Sequence, residues 1–283
     1  MLDLSVKHPS TINLVLWRGA VTAPFLSEKF SVAPFDRAVV SWNGNGDAVC
    51  ELEGCGGRLD VDTLILEEPA ESFRIRVTPE ANNTHAHQCF VCLAAATFWK
   101  HGEVPAYSEV RSEAWGKVLP VPERSQMIEG PHSSRICSPT SVAMVLEFHG
   151  YRFTTREVAD GAYDFAHQIY GNWPLNTLNA HRLSGLPCYV RRGTGLHDLE
   201  AEIAAGRPVV IGHRWKEGEL SGAPLRTSNG HLIVVVGFTE SGDAVVNDPA
   251  GLPGAVRRVY RRRELQHTWL ENASGIMYVI GDA

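Results

Sequence analysis

The amino-acid sequence predicts an α+β fold with an antiparallel β-sandwich at its N-terminus, and three observations carry that expectation. Short strands with frequent turns and no helical period fill residues 11–98, helical spacing appears from about residue 139, and apolar segments of strand length close the chain. With 283 residues there is room for two domains. The boundaries read as a β-sandwich domain over 1–105, a linker over 106–120 and a second domain over 121–283. Apolar residues make up 44% and charged residues 20%, enough to build buried cores.

Taken in order, residues 38–42, 62–66, 72–78 and 90–98 read as strands. In Ser72-Phe-Arg-Ile-Arg-Val-Thr78 the alternation turns Phe73, Ile75 and Val77 to a core and Arg74 and Arg76 to water. Asn43-Gly-Asn-Gly46 and Gly54-Cys-Gly-Gly57 read as turns between them. Periodicity vanishes over 100–122, where Gly102, Pro105, Gly116, Pro120 and Pro122 mark a linker or an extended crossing segment. A helix follows over 139–148, with Val142, Val145 and Leu146 at helical spacing and Gly150 at the C-terminal cap. Thr155 caps a short helix, and 174–183 and 196–205 read as two more. Strands at 208–213, 231–238, 244–247 and 276–280 complete the domain.

A net charge of −6 gives no general attraction for nucleic acid or anionic membrane. The apolar runs, such as Leu232 to Val236, have strand length and fall short of the roughly 18 residues of a membrane span. The N-terminal residues carry no secretory pattern, so the expected location is the cytoplasm, with secretion of a processed form left open. Six cysteines (Cys50, Cys55, Cys89, Cys92, Cys137, Cys188) are then expected as reduced thiols.

The chemistry concentrates in three places. Pro139 suits a first helical turn, which puts Cys137 at the helix mouth, where unpaired N–H groups and the dipole favour a thiolate and could hold an oxyanion. Taken alone, Cys137 could equally be a small apolar residue at a helix start. Gly230-His231 opens an apolar strand, and Asn247-Asp248-Pro249 ends the next, although a strand-edge histidine and an Asp-Pro turn each have ordinary structural uses. Antiparallel neighbours bring the start of one strand beside the end of the next, so His231 and Asp248 become partners. An aspartate there orients the imidazole and steadies its charged form.

Residues 121–281 resemble the double-glycine-leader (bacteriocin-processing) peptidase-like family of the papain-like clan. The resemblance rests on Cys137-Ser-Pro-Thr-Ser-Val-Ala-Met-Val-Leu146 with Gly150, Gly230-His-Leu-Ile-Val-Val-Val-Gly-Phe238 and Val246-Asn-Asp-Pro-Ala250. It implies a papain-like cysteine hydrolase domain with Cys137 as nucleophile, His231 as base and Asp248 as the orienting acid. It also implies an oxyanion-holding glutamine, which falls on Gln126, eleven residues before the cysteine and farther than in papain itself. Ser138 stands where many relatives carry glycine. Val39-Val-Ser-Trp-Asn43, Val61-Asp-Thr-Leu64 and Phe73-Arg-Ile-Arg-Val77 are similar to the β-sandwich that precedes the catalytic domain in some relatives.

The expected function is therefore a cysteine peptidase or amidohydrolase acting on a peptide-like substrate through a Cys137 thioester. Acyl transfer to an amine and an inactive papain-like binding module remain the rival readings. No metal or organic cofactor is required. His85, His87, Cys89 and Cys92 could approach a zinc set, but Cys89 and Cys92 would face opposite sides of a strand. A Cys50–Cys55 disulfide is unneeded. The run Arg257, Arg258, Arg261, Arg262, Arg263 reads as a solvated face, with an acidic-substrate or phosphate subsite as the alternative. His149, His181, His197, His213 and His267 read as structural. Trp173 and Trp215 are candidates to line a cleft, the latter in a mobile loop over 214–229. Oligomeric state is not encoded in any motif, and the N-terminal module is expected to restrict the cleft.

Overall fold

The computed structural model describes residues 13–45, 48–79, 89–104, 107 and 109–281. In chain order its elements are β1 (Leu14–Thr22), β2 (Phe25–Leu26), β3 (Phe30–Asn45), β4 (Ala48–Glu53), β5 (Arg58–Asp60), β6 (Thr63–Pro79), β7 (Phe90–Trp99), α1 (Cys137–Phe148), α2 (Thr155–Gly161), α3 (Trp173–Ser184), β8 (Cys188–Arg192), α4 (Leu196–Ala204), β9 (Val209–Trp215), β10 (Ser228–Phe238), β11 (Ala244–Asn247), β12 (Arg257–Tyr260), α5 (Arg262–Gln266) and β13 (Ile276–Ile280). They form two compact units, Met1–Glu103 with Trp173–Arg192, and Val104–Asn172 with Gly193–Ala283. Helix α3 and strand β8 thus group with the N-terminal unit, although the sequence reading places residues 173–192 in the second domain.

In the first unit the strands run in the order β1-β7-β3-β6-β2, and β4 and β5 also pair with β6. The 17-residue β6 holds this together: its N-terminal part pairs with β3 and β5, and its C-terminal part with β2 and β4. Phe73, Ile75 and Val77 are each 1% exposed while Arg74 and Arg76 face water, as the alternation predicts. Phe35, Phe73 and Phe98 form the centre of the core, with ring centroids 5.4–6.0 Å apart. Asn43-Gly-Asn45 is not the expected turn but the end of β3, with Asn43 opposite Leu93 and Gly44 opposite Val91; Gly46 lies outside the described residues. A Cβ on Gly44 would stand 2.0 Å from the Phe90 carbonyl oxygen, so this strand position requires glycine.

Asn43 is polar inside a strand because it holds β8. Its Nδ2 donates to the Cys188 carbonyl at 2.5 Å and its Oδ1 accepts the Cys188 N–H at 2.8 Å. Ser41 Oγ accepts the Val190 N–H at 2.8 Å, and Thr97 Oγ1 accepts the Arg192 N–H at 3.0 Å. Buried side chains here satisfy backbone groups of β8 at Cys188, Val190 and Arg192. Replacing Asn43 with leucine removes two buried hydrogen bonds and should lower stability by about 2–4 kcal/mol. Urea unfolding checks this, and a loss below about 1 kcal/mol would show that β8 is held by other means.

In the second unit the antiparallel order is β12-β11-β10-β9-β13, with α1 and α4 packed on β9 and β10. Helix α1 is buried all round from Ser138 to Leu146, the pattern of a helix inside a core. Burying Val142, Met144, Val145 and Leu146 stabilises the unit by on the order of 1.5–3 kcal/mol each. The helix ends where Gly150 predicts: Gly150 has φ +90, its N–H reaches the Glu147 carbonyl and the Tyr151 N–H reaches that of Leu146, closing both orphaned acceptors. Residues 115–119 are not a free linker. They run along β10, with Phe238 N–H to the Lys117 carbonyl at 2.9 Å and Leu119 N–H to the Val236 carbonyl at 2.8 Å. Among the described residues no helix is long and apolar enough to cross a membrane.

Candidate active site

Cys137 is the first residue of α1, preceded by Ile136, whose side chain offers no cap. The N–H groups of the first turn therefore have no partner within the helix. Two side chains secure the helix start against the sheet: Ser141 Oγ donates to the Leu232 carbonyl at 3.1 Å, and Ser138 Oγ lies 3.0 Å from Tyr278 Oη. The thiol is half-buried, and the His231 ring and the N–H groups of Leu232 and Ser138 hydrogen-bond its sulfur. Burial opposes ionisation of Cys137, but the hydrogen bond and charge of His231 and the two N–H groups outweigh it. The thiol is held below its ordinary value.

Strand β10 begins at Ser228, three residues before His231, so His231 lies inside the strand rather than at its first position. Its register pairs Val234 with Asn247. One step further along, Asp248 comes opposite Ile233, on the same face as His231 and diagonal to it. His231 Nε2 is 2.7 Å from Asp248 Oδ1. With Nε2 committed to the carboxylate, Nδ1 is the nitrogen that meets the thiol. Asp248, 0% exposed, also accepts the Ala250 N–H at 2.9 Å on Oδ1 and the Tyr260 hydroxyl at 2.6 Å on Oδ2. Burial would raise its pKa, but the charge and hydrogen bond of His231 and the Tyr260 hydroxyl lower it to about 2. Burial likewise disfavours charge on His231, and Asp248, then Cys137, overcome this and raise it to about 10.

Gln126 stands in a short 3-10 turn, Gln126–Ile128, and is buried. Its N–H donates to the Pro249 carbonyl at 2.8 Å, next to Asp248, and its Nε2 donates to the Ser133 carbonyl at 2.5 Å, in the segment that leads to Cys137. The residue links the two loops that carry the acid and the thiol, and one amide hydrogen is left over.

Tyr260 escapes the sequence reading, and His213, read there as structural, also stands in this neighbourhood. Tyr260, in the basic run, binds Asp248, and burial followed by the Asp248 charge pushes its phenol well above the ordinary range. His213 is directly opposite His231 in the β9–β10 register, with ring centroids 5.7 Å apart. Among the described residues neither of its ring nitrogens has a hydrogen-bond partner. Burial, then the charge of His231, lowers its pKa to about 3, so the ring is neutral near pH 7. Trp215 is buried beside both imidazoles, 4.5 Å from His213 and 5.9 Å from His231. The strands read at 208–213 and 231–238 already set His213 beside His231 if they pair as antiparallel neighbours, so strand pairing was the signal for it.

Other sequence candidates lie elsewhere. Arg257 binds Asn247 Oδ1 and the Val121 carbonyl, Arg258 the Gly222 carbonyl, Arg262 the buried Glu200 and Arg263 Glu109, so the basic run serves the fold. Trp173 donates its N–H to Asp62 Oδ2 in the N-terminal unit. Cys50 and Cys55 are separate thiols. His85 and His87 lie outside the described residues; Cys89 is buried, and Cys92 Sγ donates to the Asn43 carbonyl at 3.4 Å. Among the described residues no group of three or more histidine, cysteine or acidic side chains is arranged to hold a metal ion.

The model of the Peptidase_C39 like family matches residues 118–276, a stretch that contains Gln126, Cys137, His231 and Asp248. Among solved structures the chain is similar to a C39-like peptidase from Bacillus anthracis, at 19% identity and a TM-score of 0.46, covering 59% of this chain and 98% of that one. It is also similar to a double glycine motif protease from an AMS/PCAT transporter, solved with its leader peptide, at 22% identity and a TM-score of 0.39 over 59% of this chain and 95% of that one. A third is the peptidase domain of Streptococcus ComA, a bifunctional ABC transporter of a quorum-sensing pathway, at 14% identity and a TM-score of 0.37 over 59% and 98%. No curated protein matches the chain.

Proposed function

The chain belongs to the Peptidase_C39 like family of cysteine peptidases, and from that premise we propose that it hydrolyses a peptide-like acyl bond, with Cys137 as nucleophile, His231 as base and Asp248 as the acid that orients the base. The observation that carries the reading is the 2.7 Å contact of His231 Nε2 with Asp248 Oδ1, which leaves Nδ1 to the thiol at the mouth of α1. His231 holds the Cys137 proton, giving a thiolate–imidazolium pair. The thiolate attacks the acyl carbonyl, and the Cys137 N–H with the Gln126 amide receives the oxyanion. His231 then protonates the leaving amine, and a water molecule, deprotonated by the same ring, cleaves the thioester. The N-terminal unit is a β-sandwich-like module that narrows substrate choice.

The pair is tested by the pH dependence of Cys137 alkylation with iodoacetamide. The thiol lies below its ordinary value and His231 is raised to about 10, so the ion pair persists from the lowered thiol value up to the raised histidine value. Alkylation should be rapid and stoichiometric at pH 7, fall away only well below the usual thiol range near 8.5, and change again near pH 10. A single rise centred between pH 8.5 and 9 would show an ordinary thiol and remove the hydrolase reading. Product masses with and without an added amine separate hydrolysis from acyl transfer.

A further inference from the structure

We infer that His213 is a positioning residue for the base: its ring is the flat, buried surface that keeps the His231 imidazole in line between Asp248 and the thiol. The inference rests on the hydrolase reading above and deepens it. Strand register alone sets the two rings side by side. His213 in β9 and His231 in β10 are direct cross-strand partners, so their side chains rise from the same face of the sheet. Trp215, two residues further along β9, rises from that face as well. His231 is 3% exposed and His213 0%. Their ring centroids stand 5.7 Å apart with planes 30° from parallel, within the range of a packed ring pair.

His213 meets more than the base. Its ring lies 4.5 Å from that of Trp215 and 6.3 Å from that of Tyr260. Tyr260 in turn holds Asp248 through its hydroxyl at 2.6 Å, and Trp215 is tied to the loop after β9 by donation from Nε1 to the Leu225 carbonyl at 3.3 Å. One imidazole is thus wedged among the base, the phenol that binds the acid, and the indole. His231 is bonded through its two nitrogens to Asp248 and Cys137, and both bonds lie near the ring plane. Such bonds oppose tilting of the ring weakly; packing on its faces supplies the rest. Neither His213 nitrogen has a hydrogen-bond partner among the described residues. That burial is unfavourable for a polar ring, and an aliphatic side chain would avoid it. What histidine supplies is the smallest aromatic ring, a flat face in little volume. Burial, then the His231 charge, lowers its pKa to about 3, so near pH 7 removing it subtracts packing and no charge.

The test uses the full chain, with an internally quenched peptide selected from a randomised octapeptide library for cleavage by the wild type. The His231–Asp248 hydrogen bond is short, charged and buried, so its proton should give a low-field NMR resonance that exchanges slowly with water. His213→Ala should lose that resonance to exchange and lower kcat by about ten- to hundredfold, with KM within about twofold of wild type. His213→Val, better suited to a strand, and His213→Gln, similar in volume but without a ring, should fall with it. His213→Phe should keep the resonance and bring kcat to within about threefold of wild type. A small variant that unfolds cooperatively in urea yet keeps both the resonance and kcat overturns the inference. So does recovery in His213→Gln with none in His213→Phe, which assigns the effect to the ring nitrogens. If the wild type cleaves no peptide, the hydrolase reading fails by itself, and Cys137 alkylation at pH 7 decides the positioning role. A rate about threefold or more lower in His213→Ala, recovered in His213→Phe, supports it, and equal rates in all three proteins overturn it.

Discussion

Cys137→Ala should lower peptide turnover by at least about 10⁴-fold, and Cys137→Ser should do nearly as much. The second expectation follows from the site's electrostatics. Every group that meets the sulfur stabilises a negative charge on it: the His231 ring and the N–H groups of Leu232 and Ser138. A serine hydroxyl would need far more help than this to ionise, so placing oxygen in the same position does not restore the nucleophile. The loss should be chemical and not structural, because the side chain is small and half-buried at a helix terminus whose position is held by Ser138 and Ser141. One spectroscopic change should accompany it. The thiol contributes to the raised pKa of His231 through a hydrogen bond and a charge, so the imidazole of Cys137→Ala should titrate at lower pH by NMR while staying above its ordinary value on account of Asp248. Retention of more than about 1% of wild-type turnover would take the nucleophile's role away from Cys137.

What the sequence made legible is local. The alternation in β6, the glycine-capped end of α1 and the His231–Asp248 partnership each depend on periodicity or on adjacent strands, and each is present in the fold. Features decided by distant partners were not legible. Asn43-Gly-Asn45 has turn chemistry, yet Asn43 is buried because the backbone of Cys188, 145 residues away, supplies its hydrogen bonds. Strand β8 is buried at all five positions and contains Arg191 and Arg192, and no element was expected there. Arg192 is accommodated by the Glu103 carbonyl and the Trp99 ring, neither of which any local pattern announces. Tyr260 was concealed in the same way, in a run whose arginines dominate the pattern while its hydroxyl binds Asp248.

Asp248→Asn should cut kcat/KM by about 10²–10⁴-fold, the range expected when the group orienting a base is replaced by an amide of the same shape. The carboxylate is 0% exposed and has three donors: His231 Nε2, the Ala250 N–H and the Tyr260 hydroxyl. An asparagine keeps the volume but loses the charge, and it can turn an NH₂ group toward His231, which disfavours the tautomer that leaves Nδ1 facing the thiol. The pH consequences follow from the signs. In the wild type His231 is raised to about 10, so its contribution to stability is complete below its unfolded value near 6.5 and disappears as pH rises through about 10. Asp248 is lowered to about 2, so its contribution is present above its unfolded value near 3.9 and disappears as pH falls through about 2. Without the carboxylate the principal cause of the raised His231 value is gone, and the alkaline limb of the alkylation profile should move toward neutral pH. Stability at pH 7 should fall by about 2–3 kcal/mol and become less sensitive to acid below pH 4. Kinetics, the alkylation profile and urea unfolding at pH 7 and pH 3.5 check the three parts together. An alkaline limb that stays near pH 10 in Asp248→Asn would mean that the imidazolium is stabilised by something other than this carboxylate.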